Sequence, residues 1–198
     1  MQRVDLQPAQ FGPHFIGSWL MNDDVLCNEI IQFFDLHPEL QHQGETVRGY
    51  EPGTKMTLDI TINPSDLMGL DYKIFQQYFK FLFLCHQDYT NQWSFVKLFQ
   101  QLDIGQFNIQ KYSIGDHFSQ VHAERVSLDS SHRLLTWMTY LNDVDDGGMT
   151  SFVHYGLKVQ PRKGLTLIWP AEWTHAHLGE PVICDSKYIM TGWMHLTI

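Results

Sequence analysis

Two kinds of hydrophobic spacing divide the chain. Ahead of residue 104 the apolar positions recur mostly at helical intervals. Leu26, Ile30, Phe33 and Phe34 fall on one face of a helix that Asn22 or Asp23 can cap and that ends before His37-Pro38. Phe75, Tyr78, Phe79, Leu82 and Cys85 or His86 form a second such stripe between Tyr72 and Tyr89. Between the two, "KMTLDITIN" alternates, with Met56, Leu58, Ile60 and Ile62 on one side, and predicts a strand.

After residue 104 the period shortens. "FNIQKYSI", "HFSQVHAE", "RLLTWMTYLN", "MTSFVHYG", "LKVQP", "GLTLIWP", "THAHLG" and "KYIMTGWMHL" each read as a strand. Turn chemistry separates them at Gly115-Asp116, Asp146-Gly147-Gly148, Pro161-Arg162-Lys163-Gly164 and Gly179-Glu180-Pro181. Roughly eight short strands in succession suggest a jelly roll or a similar two-sheet barrel. The fold class expected is an all-β core supported by N-terminal α-helices that pack against one sheet.

Composition narrows the picture. Of 198 residues, 43% are hydrophobic and 14% aromatic, which excludes a disordered or low-complexity chain. No repeat or Ser/Gly/Pro linker interrupts it, so one domain over residues 1–198 is expected, with 1–103 as helix-rich support and 104–198 as the jelly-roll core. Thirteen Lys and Arg stand against 22 Asp and Glu, a net charge of −9, which argues against a nucleic-acid partner. No run reaches the roughly eighteen apolar residues of a membrane span, so no membrane association is expected. The N-terminus lacks the apolar region of a secretory signal. Cys27, Cys85 and Cys184 are odd in number and widely spaced, and read as reduced thiols in a cytoplasmic protein.

Most of the eleven histidines need no special role. In "HFSQVHAERV", however, His122 and Glu124 are two apart, and on a strand they would face one side. An imidazole and a carboxylate so placed can hold adjacent corners of a metal's coordination sphere. "WTHAHLGEPV" offers His175 and His177 as a distant third donor, which would complete a 2-His-1-carboxylate triad. The plain alternative is a solvated surface pair. "KYIMTGW" would put Lys187, Ile189, Thr191 and Trp193 on one face, and a lysine facing inward needs an anionic partner. Otherwise Lys187 snorkels at a strand end.

The run "YSIGDHFSQVHAE", followed by "RLLTWMTYLNDVDDGGMTSF", "VQPRKGLTLIWP" and "HLGEPVICDSKYIMTGW", resembles the prolyl 4-hydroxylase branch of the Fe(II)/2-oxoglutarate oxygenases. The likeness extends from Tyr112 to Trp193, with the elements in the family's order. It implies a double-stranded β-helix and a dioxygenase that uses Fe(II), 2-oxoglutarate and O2, with ascorbate as an accessory reductant. His122 matches the first iron ligand and His177 the distal one, with His175 as the competing choice. Glu124 stands where the family normally has aspartate, one methylene shorter. Lys187 matches the residue that takes the far carboxylate of 2-oxoglutarate. Tyr140, Tyr112 and Thr191 match positions on the cofactor side.

Arg133 matches an arginine near the substrate, although a plain salt bridge would also account for it. The implied substrate is a proline-containing peptide or protein; a small molecule or another residue type is the alternative. Two further readings stay open. A cupin-like metalloenzyme would need no Lys187, and a jelly-roll binding protein would treat the His/Glu cluster as coincidence. "DDGGMTSF" reads as a hairpin turn with an inward Phe152, and Trp169 and Trp193 as pocket wall and core.

Overall fold

The computed structural model describes residues 1–4, 13–46, 49–69, 72–99 and 102–196. In chain order its strands are β1 (Gln2–Arg3), β2 (Gly17–Leu20), β3 (Gln41–Gln43), β4 (Leu58–Ile62), β5 (Leu102–Tyr112), β6 (Phe118–His122), β7 (Arg133–Tyr140), β8 (Thr150–Phe152), β9 (Leu157–Val159), β10 (Leu165–Pro170), β11 (His177–Gly179) and β12 (Lys187–Leu196). Two helices, α1 (Asp24–Leu36) and α2 (Lys73–Gln92), lie between β2 and β5. The strands form an eight-stranded sheet, ordered β1-β2-β10-β7-β12-β5-β4-β3, and a four-stranded sheet, ordered β6-β11-β8-β9. All recorded pairings are antiparallel. This is the expected jelly roll, a double-stranded β-helix.

The large sheet is buried on both faces, and the sequence shows why. Along β7, Leu135 and Trp137 face the helices, while Met138 and Tyr140 face the small sheet. In β10 Ile168 faces outward, and Leu165, Leu167 and Trp169 face inward. A strand covered on both sides reads as a continuous apolar run rather than an alternation, as "LLTWM" does. The helices cover the outer face with Leu26, Ile30, Phe34, Phe75, Tyr78, Leu82 and Tyr89. A polar pin fixes α2 across this layer: Tyr78 OH lies 2.6 Å from Thr139 Oγ1, itself 2.6 Å from Thr166 Oγ1. Asp23 is the α1 cap, accepting from Leu26 N–H at 3.0 Å.

Three expectations are refined. The N-terminal part supplies β1 to β4 to the large sheet as well as both helices, and β5 runs across the change of texture at residue 104. Alternation in β4 is not clean, because Asp59 is buried along with Ile60 and Ile62. Its carboxylate is paired at 2.7 Å with the equally buried Lys55. Residues 54–56 then lie along the outer edge of β6: Met56 N–H donates to His117 O at 2.8 Å and Ser119 N–H to Thr54 O at 2.9 Å. Finally, the strand expected over "THAHLG" begins only at His177. Residues Trp173–His175 form a 3-10 turn, so His175 and His177 do not share a strand face. No helix among the described residues is long and apolar enough to cross a membrane.

Candidate active site

The small sheet brings two histidines face to face. His122 ends β6, His177 begins β11, and the two are directly paired across the ladder. Each ring is oriented from behind by a carbonyl two residues earlier. His122 Nδ1 is 2.9 Å from Gln120 O, and His177 Nδ1 is 2.9 Å from His175 O. A carbonyl only accepts, so each Nδ1 carries a proton and each Nε2 is turned into the site, where it can meet either the Glu124 carboxylate or a cation. Phe118 stacks on the His122 ring at 3.8 Å, while Phe152 and Trp169 flank His177.

Glu124 closes the group, but not from the strand. β6 stops at His122, and Glu124 reaches back from the bend that follows. Its Oε1 lies 3.6 Å from His122 Nε2 and 3.4 Å from His177 Nε2. Its Oε2 is taken up elsewhere, accepting from the Trp193 indole N–H at 2.9 Å with Arg133 Nη1 at 3.8 Å. Arg133 Nη1 also donates to the Glu124 carbonyl at 3.1 Å, and its guanidinium lies 3.6 Å from the Trp193 ring centroid. Burial opposes ionisation of Glu124, but hydrogen bonds and charge from His122 and His177 hold it well below the usual carboxylate range.

Three lone-pair donors thus lie within 4.8 Å of one another. That donor set suits a divalent cation with open positions. His175 is not among them: its Nε2 is 2.8 Å from His14 O and its Nδ1 3.0 Å from Thr174 Oγ1.

Lys187 lies on the large sheet, facing the small one. It begins β12 opposite Tyr112 of β5 and is 2% exposed. Its Nζ donates to Gly148 O at 3.1 Å and sits 4.0 Å from the Tyr112 ring centroid. Among the described residues no carboxylate pairs with it, and burial lowers its pKa to about 7. The Gly147-Gly148 turn shapes this corner. Gly148 has φ +64, and a Cβ on Gly147 (φ +75) would come 2.4 Å from Pro181 O. A Cβ on Gly179 would be 3.9 Å from Lys187 Nζ. Gly179 follows His177 by two residues, about 7 Å along β11. The ammonium thus approaches the strand that carries His177.

Residues 107–195 match the model of the family described as the 2OG-Fe(II) oxygenase superfamily. That match covers a little under half of the chain and is a likeness to that family. Prolyl 4-hydroxylase subunit alpha-1 of Gallus gallus and of Homo sapiens are each 31% identical to the chain over 75 residues, or 34% of this chain and 14% of theirs. The match therefore spans a small part of those relatives' length. Two solved structures share the fold across nearly the whole chain. A Pseudomonas putida prolyl-4-hydroxylase superposes with a TM-score of 0.71 at 16% identity, covering 93% of this chain and 94% of that one. A Trichoplax adhaerens prolyl hydroxylase, in complex with a hypoxia inducible factor oxygen degradation domain peptide fragment, gives 0.67 at 14% identity, covering 90% and 83%.

The hydroxyls expected on the cofactor side are differently engaged from the lysine. Tyr140 OH donates to Thr150 Oγ1 at 2.6 Å, and Thr191 Oγ1 donates to Trp137 O at 2.9 Å. Tyr112 OH donates to Gln110 Oε1 at 3.0 Å; Gln110 in turn donates to Asp59 at 3.0 Å. Each hydroxyl is satisfied inside the protein, as buried polar groups are. Arg133, expected beside substrate or in a plain salt bridge, contacts Glu124 and Trp193. Sequence reasoning missed Trp193 as a partner of Glu124 and missed the Lys55–Asp59–Gln110–Tyr112 chain. No local pattern in the sequence announces either.

Proposed function

We propose that the chain is an Fe(II)- and 2-oxoglutarate-dependent dioxygenase that hydroxylates a prolyl residue in a peptide or protein. The observation that carries this reading is the convergence of His122 Nε2, His177 Nε2 and Glu124 Oε1, with a buried Lys187 that has no carboxylate partner among the described residues and approaches Gly179 of the strand carrying His177. Fe(II) held by those three residues supplies the oxygen chemistry, in which one atom of O2 enters a C–H bond and the other enters succinate as 2-oxoglutarate loses CO2.

The chain's own residues supply placement. Gln120 and His175 carbonyls fix the imidazole rings, leaving one face of the cluster for co-substrate and oxygen. Lys187 offers a charge-assisted hydrogen bond to the far carboxylate and so sets the depth at which the diacid lies. Phe118, Phe152 and Trp169 wall the rings from water. The relatives named above are prolyl hydroxylases, one of them solved with a peptide, which supports a peptidyl substrate. So does the segment after Glu124, where Val126 is 63% and Leu128 90% exposed although Ser130 ties its backbone. A second loop that a peptide could lie under, 42–54, includes residues 47 and 48, which lie outside the described residues. A net charge of −9 suits a neutral or basic peptide.

The test is release of succinate from labelled 2-oxoglutarate with Fe(II), alone and with a panel of proline-containing peptides. The expected result is stimulation by at least one peptide, with a mass gain of one oxygen on proline. Stimulation only by a free amino acid or another small molecule removes the prolyl assignment and keeps the oxygenase. No succinate and no iron binding removes both.

A further inference from the structure

An apolar groove of about 410 Å3 lies on the helix side of the large sheet, where β7 begins and β10 stops. The buried Leu135 and half-buried Pro170 line its sheet side, and Phe15, Trp93 and Phe95 stand around it, with Phe95 73% exposed. Rings of this size are ordinarily packed away; here three of them surround an open space. Phe15 is placed there against its backbone preference. Its φ is +53, in the left-handed region that a bulky residue rarely enters. Tyr89 OH donates to its carbonyl at 2.8 Å, and its ring centroid is 4.7 Å from that of Trp93. Such strain persists only where the surrounding structure enforces it.

Two ties join the groove to the three-donor cluster. Glu172, on its rim, accepts from Arg125 Nη1 at 2.6 Å, and Arg125 N–H donates to Ala171 O at 3.0 Å. Arg125 directly follows Glu124. On the other side, the carbonyl of His14, next to Phe15, accepts from His175 Nε2 at 2.8 Å, and the His175 carbonyl orients the His177 ring. The groove is thus fixed in place relative to both the carboxylate and an imidazole of the site. Exposed Val126 and Trp173 stand next to the two members of the Arg125–Glu172 pair, so apolar surface continues from the groove toward the metal end.

Resting on the peptidyl-substrate reading above, we propose that this groove seats one large apolar side chain of the peptide substrate, at a fixed spacing from the proline presented to the metal. Its volume lies at the lower end of sites that enclose a small ligand, and suits a leucine or an aromatic side chain rather than a helix. The substrate is the occupant that explains the two ties. A second copy of the chain or a free apolar molecule would have no need of a groove registered to Glu124 and His177.

The full chain, with Fe(II) and 2-oxoglutarate, is assayed on peptides of alanine, serine and lysine that carry a central proline and a single leucine moved position by position. Hydroxyproline formation is compared with that from the same peptide bearing alanine in place of leucine. The expected result is that leucine at one position, or at two adjacent ones, raises kcat/KM at least about tenfold, mainly through KM, as burial of its side chain allows. In Phe95→Ser and in Val96→Asp, both altered in the groove wall, that ratio should fall below about threefold. The ratio is taken within each variant, so partial unfolding lowers both rates and leaves it unchanged. A leucine effect below about twofold at every position overturns the proposal, and so does a preference that survives in either variant. A dimer in sedimentation equilibrium that Phe95→Ser dissociates would give the groove to a second copy, and overturns it too. Failure of the underlying reading looks different: succinate release that no peptide stimulates, or no succinate at all, removes the peptidyl substrate and the groove's role with it.

Discussion

The two ends of the site treat charge in opposite ways. At one end a carboxylate lies between two imidazoles with an arginine behind it, and both imidazole Nδ1 atoms and the outer carboxylate oxygen have partners. At the other end Lys187 is more deeply buried, yet among the described residues its ammonium meets a glycine carbonyl and the face of Tyr112 and no carboxylate. The first end is preformed and takes a cation into an existing frame. The second is held at an energetic cost, because a buried ammonium loses its hydration without gaining a counter-ion. On the proposed reading the protein keeps its metal end ready and leaves its diacid end short of one negative charge, which a bound diacid would supply.

The sharpest way to break this contrast is at the metal end. His177→Ala should abolish Mn(II) or Fe(II) binding, whereas His175→Ala, whose ring is bonded to His14 and Thr174, should retain most of it in an equilibrium titration. The reverse outcome would exchange the two histidines' roles.

A smaller effect is expected at the diacid end. Lys187→Ala should weaken 2-oxoglutarate at least about tenfold while leaving metal affinity intact. Its pH behaviour carries a sign that can be checked. Burial lowers the Lys187 pKa from 10.5 to about 7. A diacid prefers the protonated form, so 2-oxoglutarate affinity should fall as pH rises above about 7, and this dependence should vanish in the variant. Between the two pKa values the unfolded chain holds one proton more than the folded one. The ligand-free protein should therefore gain stability as pH rises from about 7 toward 10.5.

Smaller again is the change at the turn that receives the ammonium. Gly148→Ala forces an L side chain into φ +64 with its Cβ 3.3 Å from Lys187 Cδ. That should cost about 1–2 kcal/mol, or a fall in Tm of about 2–8 °C by thermal unfolding. The smallest effect is expected for Thr191→Val. Its hydroxyl proton already goes to Trp137 O, so 2-oxoglutarate affinity should move by less than about threefold.

The fold was legible wherever one face of an element is apolar and the other polar, or where both are buried. Leu26, Ile30 and Phe34 mark α1, and the run through Trp137 marks β7. It was less legible at "THAHLG", where alternation of small and polar residues suits a strand and a 3-10 turn equally well. Asp59 was hidden for another reason: its burial depends on Lys55 and Gln110, one of them far along the chain, and no local pattern announces such a partner. The residues that converge at the site were recognisable by type and order, since His122, Glu124, His177 and Lys187 each have a chemistry that stands out. What surrounds them was not. Which acceptor a hydroxyl such as Tyr140's finds, and which donor turns Glu124, are set by side chains meeting across sheets.

The strap of residues 54–56 has a consequence for how copies of the chain meet in solution. β6 ends its sheet, and an open strand edge is a template on which another chain can add a strand. Here Thr54 and Met56 already occupy the hydrogen-bonding positions of His117 and Ser119, and the Lys55–Asp59 pair beneath anchors them. The opposite edge, β9, is three residues long and carries Lys158. Loosening the strap, for instance by Lys55→Met, would strand Asp59 without its cation and bare the edge beside His122. Self-association that grows with protein concentration would then appear before any loss of the jelly roll itself.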